Sequence, residues 1–451
     1  MLKRYNVQGC NAGGHRDWLP IKLTNSIQPA TKKIFFILFL SLLLFANNNL
    51  PAQEIDAVYA KDTKATNRDR LYKSLVNNAI IKNLSYPLTD STEENWMDAF
   101  NAIELIRYKS PWTDSKIQEA FAGVEKRSDY FQRSLLEMLY SNYPAVFSKE
   151  IARLLIPGVS EKVFAMSAEY IAAAQPAALP ELKMKAKQRL LIDKDNTIIK
   201  TLCYRLDNYT TKNSLPSAKE ILHQSFFPNA VLVYSFQRKN RNYPGIAIVR
   251  DSAGNFVKGL YTDFFYVPQL ARSISNLPGY ISNGNTPQGI FRMFGFAVSK
   301  SNFIGPTPNI QLTMPVETSI QHFMNDSSIT DTLWTENWYK KLLPQQWKNY
   351  LPFFESYYAG SAGRTEIIAH GTTINPSYYK GQPYYPLTPT LGCLCTKEIW
   401  NEEDGKRTSS DQQLLVSAIK QAGGANGYYI VIELNDEQRP VTMEDILPFL
   451  K

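Results

Sequence analysis

The hydrophobic pattern of the chain changes its period near residue 206, and this change excludes one uniform fold. From about Asp56 to Arg205 the apolar residues recur three and four positions apart, as on a helix face. Beyond residue 230 they fall into short β-branched runs bounded by turn residues, which is typical of strands. A chain of 451 residues also exceeds what one hydrophobic core usually fills. The sequence therefore predicts an α+β protein with a helical domain at 53–205, a linker at 206–229 and a mostly-β domain at 230–451.

Within the helical domain one set of apolar offsets recurs. Its copies begin at Trp96, Phe131 and Phe164, which are 35 and 33 residues apart. A capping box from Ser91 to Glu94 is predicted to start the first of these helices. Such spacing favours stacked helical hairpins of the HEAT-like kind. An irregular helical bundle fits the same pattern.

The second domain contains several strand candidates and one helix candidate. The strands are predicted at 230–236, 245–251, 289–298, 365–371 and 427–434. An amphipathic helix begins near Ser410 and stops at Gly423-Gly424. An aromatic, proline-rich segment at 301–363 is predicted to be an insertion that forms a lid or shapes a substrate site, with a surface subdomain of no such role as the alternative. These features predict a small sandwich or barrel-like sheet with a helical and aromatic insertion.

The leader at 1–52 predicts export. Lys32 and Lys33 precede a thirteen-residue apolar run, Ile34–Ala46. A membrane-spanning helix needs about 20 apolar residues, so the run fits a signal peptide, with an uncleaved inner-membrane anchor as the alternative. Six Lys/Arg and one Asp in the leader account for +5 of the net charge of +8, which leaves about +3 for the remainder and argues against a nucleic-acid partner. We expect a periplasmic or cell-surface protein.

The cysteines do not form a disulfide framework in this interpretation. Without Cys10, which lies in the leader, the chain keeps Cys203, Cys393 and Cys395. An exported protein held together by disulfides would show an even and dispersed set of cysteines. We therefore expect that at least one of these cysteines is kept for its reactivity.

His370 and Cys393 form a candidate base and nucleophile. His370 ends a predicted strand in "EIIAHGT", and Cys393 follows 23 residues later in "TPTLGCL". A thiol attacks acyl carbons as thiolate, which requires a nearby base. Gly392 lets a substrate carbonyl approach backbone N–H groups that would form an oxyanion hole, and the Gly371 carbonyl would hold the imidazole in one tautomer. A buried free cysteine with a structural histidine, or a zinc site formed by His370, Cys393 and Cys395, are the alternatives.

The same segment resembles a known family. The order of "HGT", a tyrosine- and proline-rich loop and "TLGCL" is similar to the L,D-transpeptidase catalytic domain (YkuD-like) family. Upstream, Thr286, Pro287, Gly289 and Phe291 resemble the Thr-Pro-x-Gly-x-Phe segment of that family. The resemblance covers about 230–440. It does not cover the helical domain, for which an unidentified protein partner is one expectation.

The resemblance implies a mostly-β L,D-transpeptidase-like sandwich that acts on peptidoglycan stem peptides in cell wall biogenesis. Cys393 would attack the carbonyl of the third residue of a stem tetrapeptide and release the terminal D-alanine. His370 would act as base and then as acid, oriented by the carbonyl of Gly371, while the N–H groups of Gly392 and Cys393 would bind the oxyanion. The thioester would pass to the amine of a neighbouring stem, giving a 3→3 crosslink, or to water, giving carboxypeptidase action.

The substrate-binding positions are also carried over from the resemblance. Thr390 would support the turn or contact the substrate, and Thr372 and Tyr385 are expected to contact it. No phosphate-binding glycine loop, dinucleotide fingerprint or paired-carboxylate motif occurs, so no organic cofactor is expected and no metal is required.

The chain departs from the family pattern at two positions beside the nucleophile. Leu391 stands where the family commonly has histidine or a similar residue, and Cys395 stands where it has arginine or asparagine. Arg292 or Arg407 would have to supply the missing hydrogen bonds through space. Cys395 is a neutral small replacement, a redox partner of Cys393, or a mark of altered activity. If activity is lost, the protein would be a non-catalytic periplasmic scaffold that binds peptidoglycan or a protein partner.

Overall fold

The computed structural model describes residues 57–211, 214–259 and 262–450. The predicted leader at 1–52 lies outside these residues. In the described part, helices precede a mostly-β region, so the predicted α+β order is confirmed at this level. No helix within the described residues is both long enough and apolar enough to cross a membrane.

The N-terminal region is built from helices connected by short turns. They are α1 (Ala65–Ser74), continued by a π-helical segment at Leu75–Lys82, then α2 (Glu93–Ile106), α3 (Pro111–Ala120), α4 (Asp129–Asn142), α5 (Ser148–Ile151), α6 (Glu161–Ala174), α7 (Leu179–Ile192) and α8 (Thr197–Asp207). The recurring apolar offsets lie on α2, α4 and α6, which pack in that order around buried Trp96, Phe131 and Phe164.

Serine side chains begin several of these helices, although not at the predicted place. The hydroxyls of Ser128 and Ser160 accept hydrogen bonds from backbone N–H groups at the start of α4 and α6. The predicted capping box at Ser91–Glu94 is wrong. The N-cap of α2 is Thr92, whose hydroxyl oxygen accepts instead from the N–H of Thr89, in the turn before the helix.

The second region is centred on one mixed sheet. Its strands and those of a separate two-stranded sheet (β8 and β9) are β1 (Val231–Gln237), β2 (Gly245–Arg250), β3 (Val267–Gln269), β4 (Gly289–Ala297), β5 (Asn309–Thr313), β6 (Ile368–His370), β7 (Leu394–Cys395), β8 (Glu398–Trp400), β9 (Arg407–Ser410) and β10 (Asn426–Glu433). The order in the main sheet is β3-β2-β1-β10-β4-β5-β6-β7. β1 pairs with β10, and β6 with β7, in parallel.

The two edges of the main sheet meet, so that the sheet nearly closes on itself. Leu270, directly after β3, donates to the carbonyl of Cys395 (2.8 Å) and accepts from its N–H (2.9 Å). These bonds satisfy backbone groups that an open edge would leave unpaired. The strand that follows Cys393 therefore lies at the seam, paired on one side with β6 and bridged on the other to Leu270.

Apolar clusters cover both faces of the main sheet, and the side chains of β10 alternate between them. Tyr428, Ile430 and Ile432 enter one apolar cluster, while Tyr429 and Val431 enter another, as the alternation of a strand requires. The second cluster is completed by α13 (Asp411–Ala422). The first is completed by α9 (Ala218–Leu222), α10 (Ile320–Met324), α11 (Glu336–Lys341), α12 (Glu355–Ser361) and α14 (Met443–Leu450).

Two predicted boundaries are corrected by this packing. The predicted insertion at 301–363 contains β5, which pairs with β4 and β6. Its sequence, "NIQLT", is too short and too polar to show a strand pattern, and its position between two partners makes it a strand. The remainder buries Tyr339 and Trp347 against the sheet, as a core layer. The predicted linker at 206–229 likewise contains α9, whose apolar residues belong to that layer.

A loop of the sheet region is embedded in the helical region. We call residues 276–286, which lie between β3 and β4, the docking loop. Its Leu277, Tyr280 and Ile281 are buried in the core formed by α1–α8. The hydroxyl of Tyr280 donates to Glu169 (3.0 Å), and the amide of Asn283 donates to Glu137 (3.1 Å). The other end of this loop reaches the candidate site.

Candidate active site

The pairing of β6 with β7 brings the two predicted reactive residues to neighbouring strands. His370 is the last residue of β6, and Cys393 directly precedes β7. Because the strands are parallel and His370 lies opposite Cys395, the turn after β6 and the turn before β7 both belong to this paired segment. We call 370–373 the base turn and 390–393 the nucleophile turn.

His370 is a buried and neutral imidazole. Its side chain is 4% exposed, and its Nδ1 lies 2.5 Å from the carbonyl oxygen of Gly371. A carbonyl only accepts, so Nδ1 carries the proton and Nε2 is left as the basic nitrogen. Burial lowers the pKa of His370 to about 4, and the hydrogen bond to Gly371 opposes that effect only in part. The predicted role of the Gly371 carbonyl agrees with this geometry.

Cys393 is half-buried, and its thiol is directed at a backbone carbonyl. Sγ lies 3.8 Å from the oxygen of Glu366. Burial raises the pKa of the Cys393 thiol, while a hydrogen bond to the Ile368 backbone and the charge of Arg364 act in the opposite direction. No hydrogen bond joins the thiol to His370 in the part of the chain that the structure describes. The pairing of β6 with β7 brings the two residues to neighbouring segments, but without the hydrogen bond that the sequence predicted.

The carbonyl that accepts the thiol belongs to a residue with unusual backbone geometry. Glu366 has a φ of 65°, in the left-handed region that residues other than glycine seldom adopt. Its N–H donates to the carboxylate of Glu317 (2.8 Å). This bond helps to hold the conformation that aims the Glu366 carbonyl at Cys393. Non-glycine residues in this region occur often at functional sites.

The nucleophile turn is held by Thr390 and by a required glycine. The N–H of Gly392 donates to Thr390 Oγ1 (3.0 Å), whose hydroxyl donates to the carbonyl of Cys393 (2.9 Å). Thr390 therefore supports the turn, which is one of its two predicted roles. Because the Gly392 N–H is already engaged, its predicted part in an oxyanion hole is corrected. Gly392 has a φ of 116°, and a Cβ there would overlap the guanidinium of Arg364.

Arg364 is the residue that the sequence did not reveal. Its buried guanidinium donates to four backbone carbonyls: Gly279, Gly284 (2.7 Å), Asn285 (2.7 Å) and Gly392 (3.4 Å). Within the described residues it forms no salt bridge. Burial lowers the pKa of Arg364 to about 10, so that it stays cationic at neutral pH. The described residues thus place a buried cation near the thiol of Cys393, with the charges of Glu355 and Glu317 acting on it from beyond salt-bridge distance.

The sequence left open whether Arg292 or Arg407 replaces the hydrogen bonds that Cys395 cannot form. Arg292 donates to the backbone of Gly427 and to Asn426, and Arg407 donates to Thr307 (2.6 Å), so neither is bonded to the nucleophile turn. Only the sequence "AGRTEIIAH" hinted at Arg364, by placing a basic residue just before a predicted strand.

Cys395 is a free and fully buried thiol. Its sulfur lies 3.8 Å from the hydroxyl of Thr388, and burial raises its pKa to about 12. A thiol with such a pKa holds almost no thiolate at neutral pH. Cys395 lies opposite His370 in the strand pairing.

The two remaining predicted substrate contacts differ in access. Thr372 is buried, and its hydroxyl oxygen accepts from Thr388 (2.9 Å) and from the N–H of Ile374 (3.1 Å), so it holds the base turn. Tyr385 is 45% exposed and stays available to a ligand. The structure therefore supports an accessible position for Tyr385 and an internal, structural one for Thr372.

A cavity of about 100 Å³ adjoins the base turn at Thr373 and extends to Arg68 of α1. A larger cavity, of about 770 Å³, is lined by Phe227, Lys341 and Tyr428 and includes neither Cys393 nor His370. In the described residues no group of three or more His, Cys, Asp or Glu side chains is arranged to hold a metal ion. Comparison with protein-family models, with curated proteins and with solved structures found no match for the chain.

Proposed function

We propose that the protein is a cysteine-dependent L,D-transpeptidase of peptidoglycan stem peptides. One observation carries the proposal. A neutral imidazole whose Nδ1 carries the proton ends β6, a half-buried thiol directly precedes the paired strand β7, and a buried cation lies near the thiol. This arrangement suits acyl transfer through a thioester. The resemblance of "HGT" and "TLGCL" to the L,D-transpeptidase family supplies the substrate class.

In the proposed reaction, the Cys393 thiol leaves the Glu366 carbonyl and gives its proton to Nε2 of His370. The thiolate attacks the carbonyl carbon of the third stem residue, and the N–H of Cys393 donates to the developing oxyanion. The C–N bond to D-alanine then breaks as His370 returns the proton to the leaving amine. An amine of a second stem, or water, attacks the thioester and regenerates the thiol.

Arg364 has an electrostatic part in this scheme. Proton transfer from Cys393 to His370 creates a thiolate within reach of the guanidinium, where the low polarity of the interior strengthens the attraction. The cation would offset part of the cost of burying the thiolate. Arg364 touches the Gly392 carbonyl and not the reacting atoms, so it is a positioning and electrostatic residue.

The rest of the proposal concerns the setting of the site. The sheet region would be an L,D-transpeptidase-like sandwich domain that works in cell wall biogenesis and cell shape, after export to the periplasm or cell surface. Helices α2–α7 would form stacked HEAT-like hairpins that bind a protein partner. What supports these steps is the recurrence of apolar offsets on α2, α4 and α6 and the apolar run in the leader.

The test is to incubate the mature protein with disaccharide-tetrapeptide and to follow the products by mass spectrometry. Crosslinked dimers would indicate transpeptidation, and tripeptides would indicate carboxypeptidase action. Cys393→Ala should abolish both products. An unchanged tetrapeptide, with wild-type protein that is folded, would contradict the proposal.

A second candidate is a non-catalytic scaffold that binds peptidoglycan or a protein partner. It is favoured by the thiol, which bonds to Glu366 instead of His370 and has a raised pKa. Thiol chemistry separates the two candidates. An enzyme should be acylated by a carbapenem at Cys393 in a manner that depends on His370, whereas a scaffold should show no such dependence.

A further inference from the structure

We propose that Glu398 is a positioning residue for His370 that acts through the peptide group between Gly371 and Thr372. The inference rests on the proposed function and deepens it, because it assigns to the general base a charged partner that lies 28 residues away in sequence. Glu398, the peptide group between Gly371 and Thr372, and the imidazole of His370 would then form one chain of hydrogen bonds, which we call the relay.

The geometry of the relay is continuous. The carbonyl of Gly371 accepts from His370 Nδ1 (2.5 Å), and the N–H of Thr372 donates to Glu398 Oε2 (3.0 Å). This carbonyl and this N–H belong to one planar, conjugated peptide group. Hydrogen bonds in such a chain polarise one another, so a negative charge at the N–H end makes the carbonyl a stronger acceptor. Glu398 therefore strengthens the bond that orients the imidazole.

The hydrogen bonds around Glu398 favour its ionised form. The hydroxyl oxygen of Thr307 accepts from Arg407 (2.6 Å), and that of Ser410 accepts from the N–H of Gln413 (2.9 Å). Each hydroxyl therefore directs its own proton to Glu398 Oε1, at 2.5 and 2.6 Å. Arg407 is also 3.7 Å from this oxygen. The pKa of Glu398 is raised above its ordinary value, chiefly by burial, and its hydroxyl donors, Arg407 and the Thr372 N–H oppose that rise. These neighbours all donate to the carboxyl group or attract its negative charge.

The chain is shaped to let the carboxylate reach this peptide. Glu398 is buried, and a Cβ at position 371 would overlap its carboxyl carbon. Glycine at 371 is therefore required by the close approach of Glu398 to the backbone. A side chain there would push the carboxylate off the Thr372 N–H and break the relay.

The relay answers a difficulty in the proposed reaction. Burial makes the imidazole a poor proton acceptor, since a charged ring has lost most of its water. When His370 takes the thiol proton, the positive charge forms beside a peptide that is polarised by a carboxylate. The cost of the imidazolium falls without any rise in exposure. Arg407, on the far side of the carboxylate, attenuates this effect by neutralising part of the charge.

The test compares Glu398→Gln with Arg407→Gln in the mature chain, and follows the ring of His370 by histidine-labelled NMR over pH. Glu398→Gln removes the negative charge, so the pKa of His370 should fall. Arg407→Gln removes the opposing positive charge, so the pKa should rise. A purely structural role would move both in the same direction or not at all. Glu398→Asp, which keeps the charge, should retain much of the wild-type titration.

Activity provides a separate readout. Glu398→Gln should reduce the rate of Cys393 acylation at pH 7 by about tenfold, the amount that corresponds to one pKa unit. Glu433→Gln, which removes a half-buried carboxylate at the end of β10 in the main sheet, is the control and should leave the His370 titration unchanged. If Glu398→Gln does not fold, a fall or no change of the His370 pKa in Arg407→Gln overturns the relay.

The two proposals can fail separately. Opposite titration shifts in a protein that acylates nothing would support the relay and contradict the transpeptidase. Normal acylation with a His370 titration that neither variant moves would overturn the relay and leave the transpeptidase standing.

Discussion

The base turn and the nucleophile turn are both built from glycine and threonine, but they are backed by opposite charges. Behind the base turn lies the buried carboxylate of Glu398, and behind the nucleophile turn lies the buried guanidinium of Arg364. Transfer of a proton from Cys393 to His370 would place a negative charge beside the cation and a positive charge beside the anion. The difference between the turns suggests that the fold is arranged to stabilise the thiolate–imidazolium pair.

The two turns also differ in what anchors them. Arg364 binds carbonyls of Gly279, Gly284 and Asn285 in the docking loop, and that loop is embedded in the helical region. Glu398 is held by Thr307 and Ser410, both within the sheet region. A disturbance of the helical region should therefore reach the nucleophile before it reaches the base.

The largest change in rate is expected from His370→Ala, which tests whether the base turn activates the thiol of the nucleophile turn. His370→Ala should slow carbapenem acylation of Cys393 by about 10²–10⁴-fold, because the thiol loses its proton acceptor. Intact-mass spectrometry over time measures this rate. His322→Ala, which removes an exposed histidine on α10, should react as the wild type does. Equal rates for all three proteins would contradict a chemical role for the base turn.

Arg364→Met tests the charge behind the nucleophile turn. The cation lowers the pKa of Cys393, so its removal should raise that pKa and reduce the thiolate present at pH 7. A rise of one unit would slow alkylation at pH 7 by about tenfold and leave the rate at high pH unchanged. The carbonyls of Gly279, Gly284 and Asn285 also lose the guanidinium donor, so we expect a loss of about 3–5 kcal/mol in the free energy of unfolding.

Arg292→Met is the matched control for this variant. It removes a buried arginine of β4 that donates to the carbonyl of Gly427 and packs on the ring of Tyr428. We expect it to lose stability while the alkylation profile of Cys393 keeps its midpoint. If both variants shift the midpoint equally, the effect comes from general loosening of the sheet and not from the charge of Arg364.

Ile281→Ala in the docking loop tests whether the two turns are anchored separately. Truncation of this buried side chain should cost about 2–5 kcal/mol and disturb the carbonyls that hold Arg364. Alkylation of Cys393 should slow, while the titration of His370 should stay as in the wild type. Ile446→Ala on α14 removes an equally buried isoleucine far from this loop and should change stability alone. A His370 titration that moves with Ile281→Ala would contradict separate anchoring.

The parts of this site that were predictable from sequence are the local ones. The bond from His370 to Gly371 joins adjacent residues, and the support that Thr390 gives to Gly392 and Cys393 spans three positions. The helical and strand segments with strong periodicity were likewise found within a few residues of their true bounds. Local pattern is sufficient where the interaction is itself local.

What sequence could not show depends on pairing between distant segments. Arg364 meets Gly392 because β6 and β7 pair at the seam of the sheet, and Glu398 meets Thr372 for the same reason. The strand β5 gave no pattern because its neighbours, not its composition, make it a strand. The two buried charges that distinguish the turns are both of this kind, since each lies more than twenty residues from the group that it supports.

Burial of the base should also appear as a pH dependence of stability. The folded-state pKa of His370 is about 4, below its ordinary value of 6.5, so the unfolded chain takes up this proton first as the pH falls. Stability from this group is present above pH 6.5 and is lost as the pH falls toward 4, by about 3 kcal/mol at most. His370→Gln should remove this part of the decline. Urea unfolding of both proteins at pH 7, 5.5 and 4.5 measures the difference, and parallel curves would contradict a buried neutral imidazole.

The least change is expected from Cys395, the thiol on β7 that lies opposite His370 in the strand pairing. Burial raises the pKa of Cys395 to about 12, so the thiol is uncharged at neutral pH. It therefore adds nothing to the electrostatic effect of Arg364 or of Glu398. Cys395→Ala should therefore change the alkylation rate of Cys393 by less than about twofold and cost about 1 kcal/mol through the small cavity it leaves. If Cys395 is instead a redox partner of Cys393, mild oxidant should inactivate the wild type reversibly and spare Cys395→Ala. That result would show that Cys395 forms a reversible disulfide with Cys393 and does not serve only in packing. It would also mean that the sulfur of Cys393 can rotate toward Cys395 as well as toward His370.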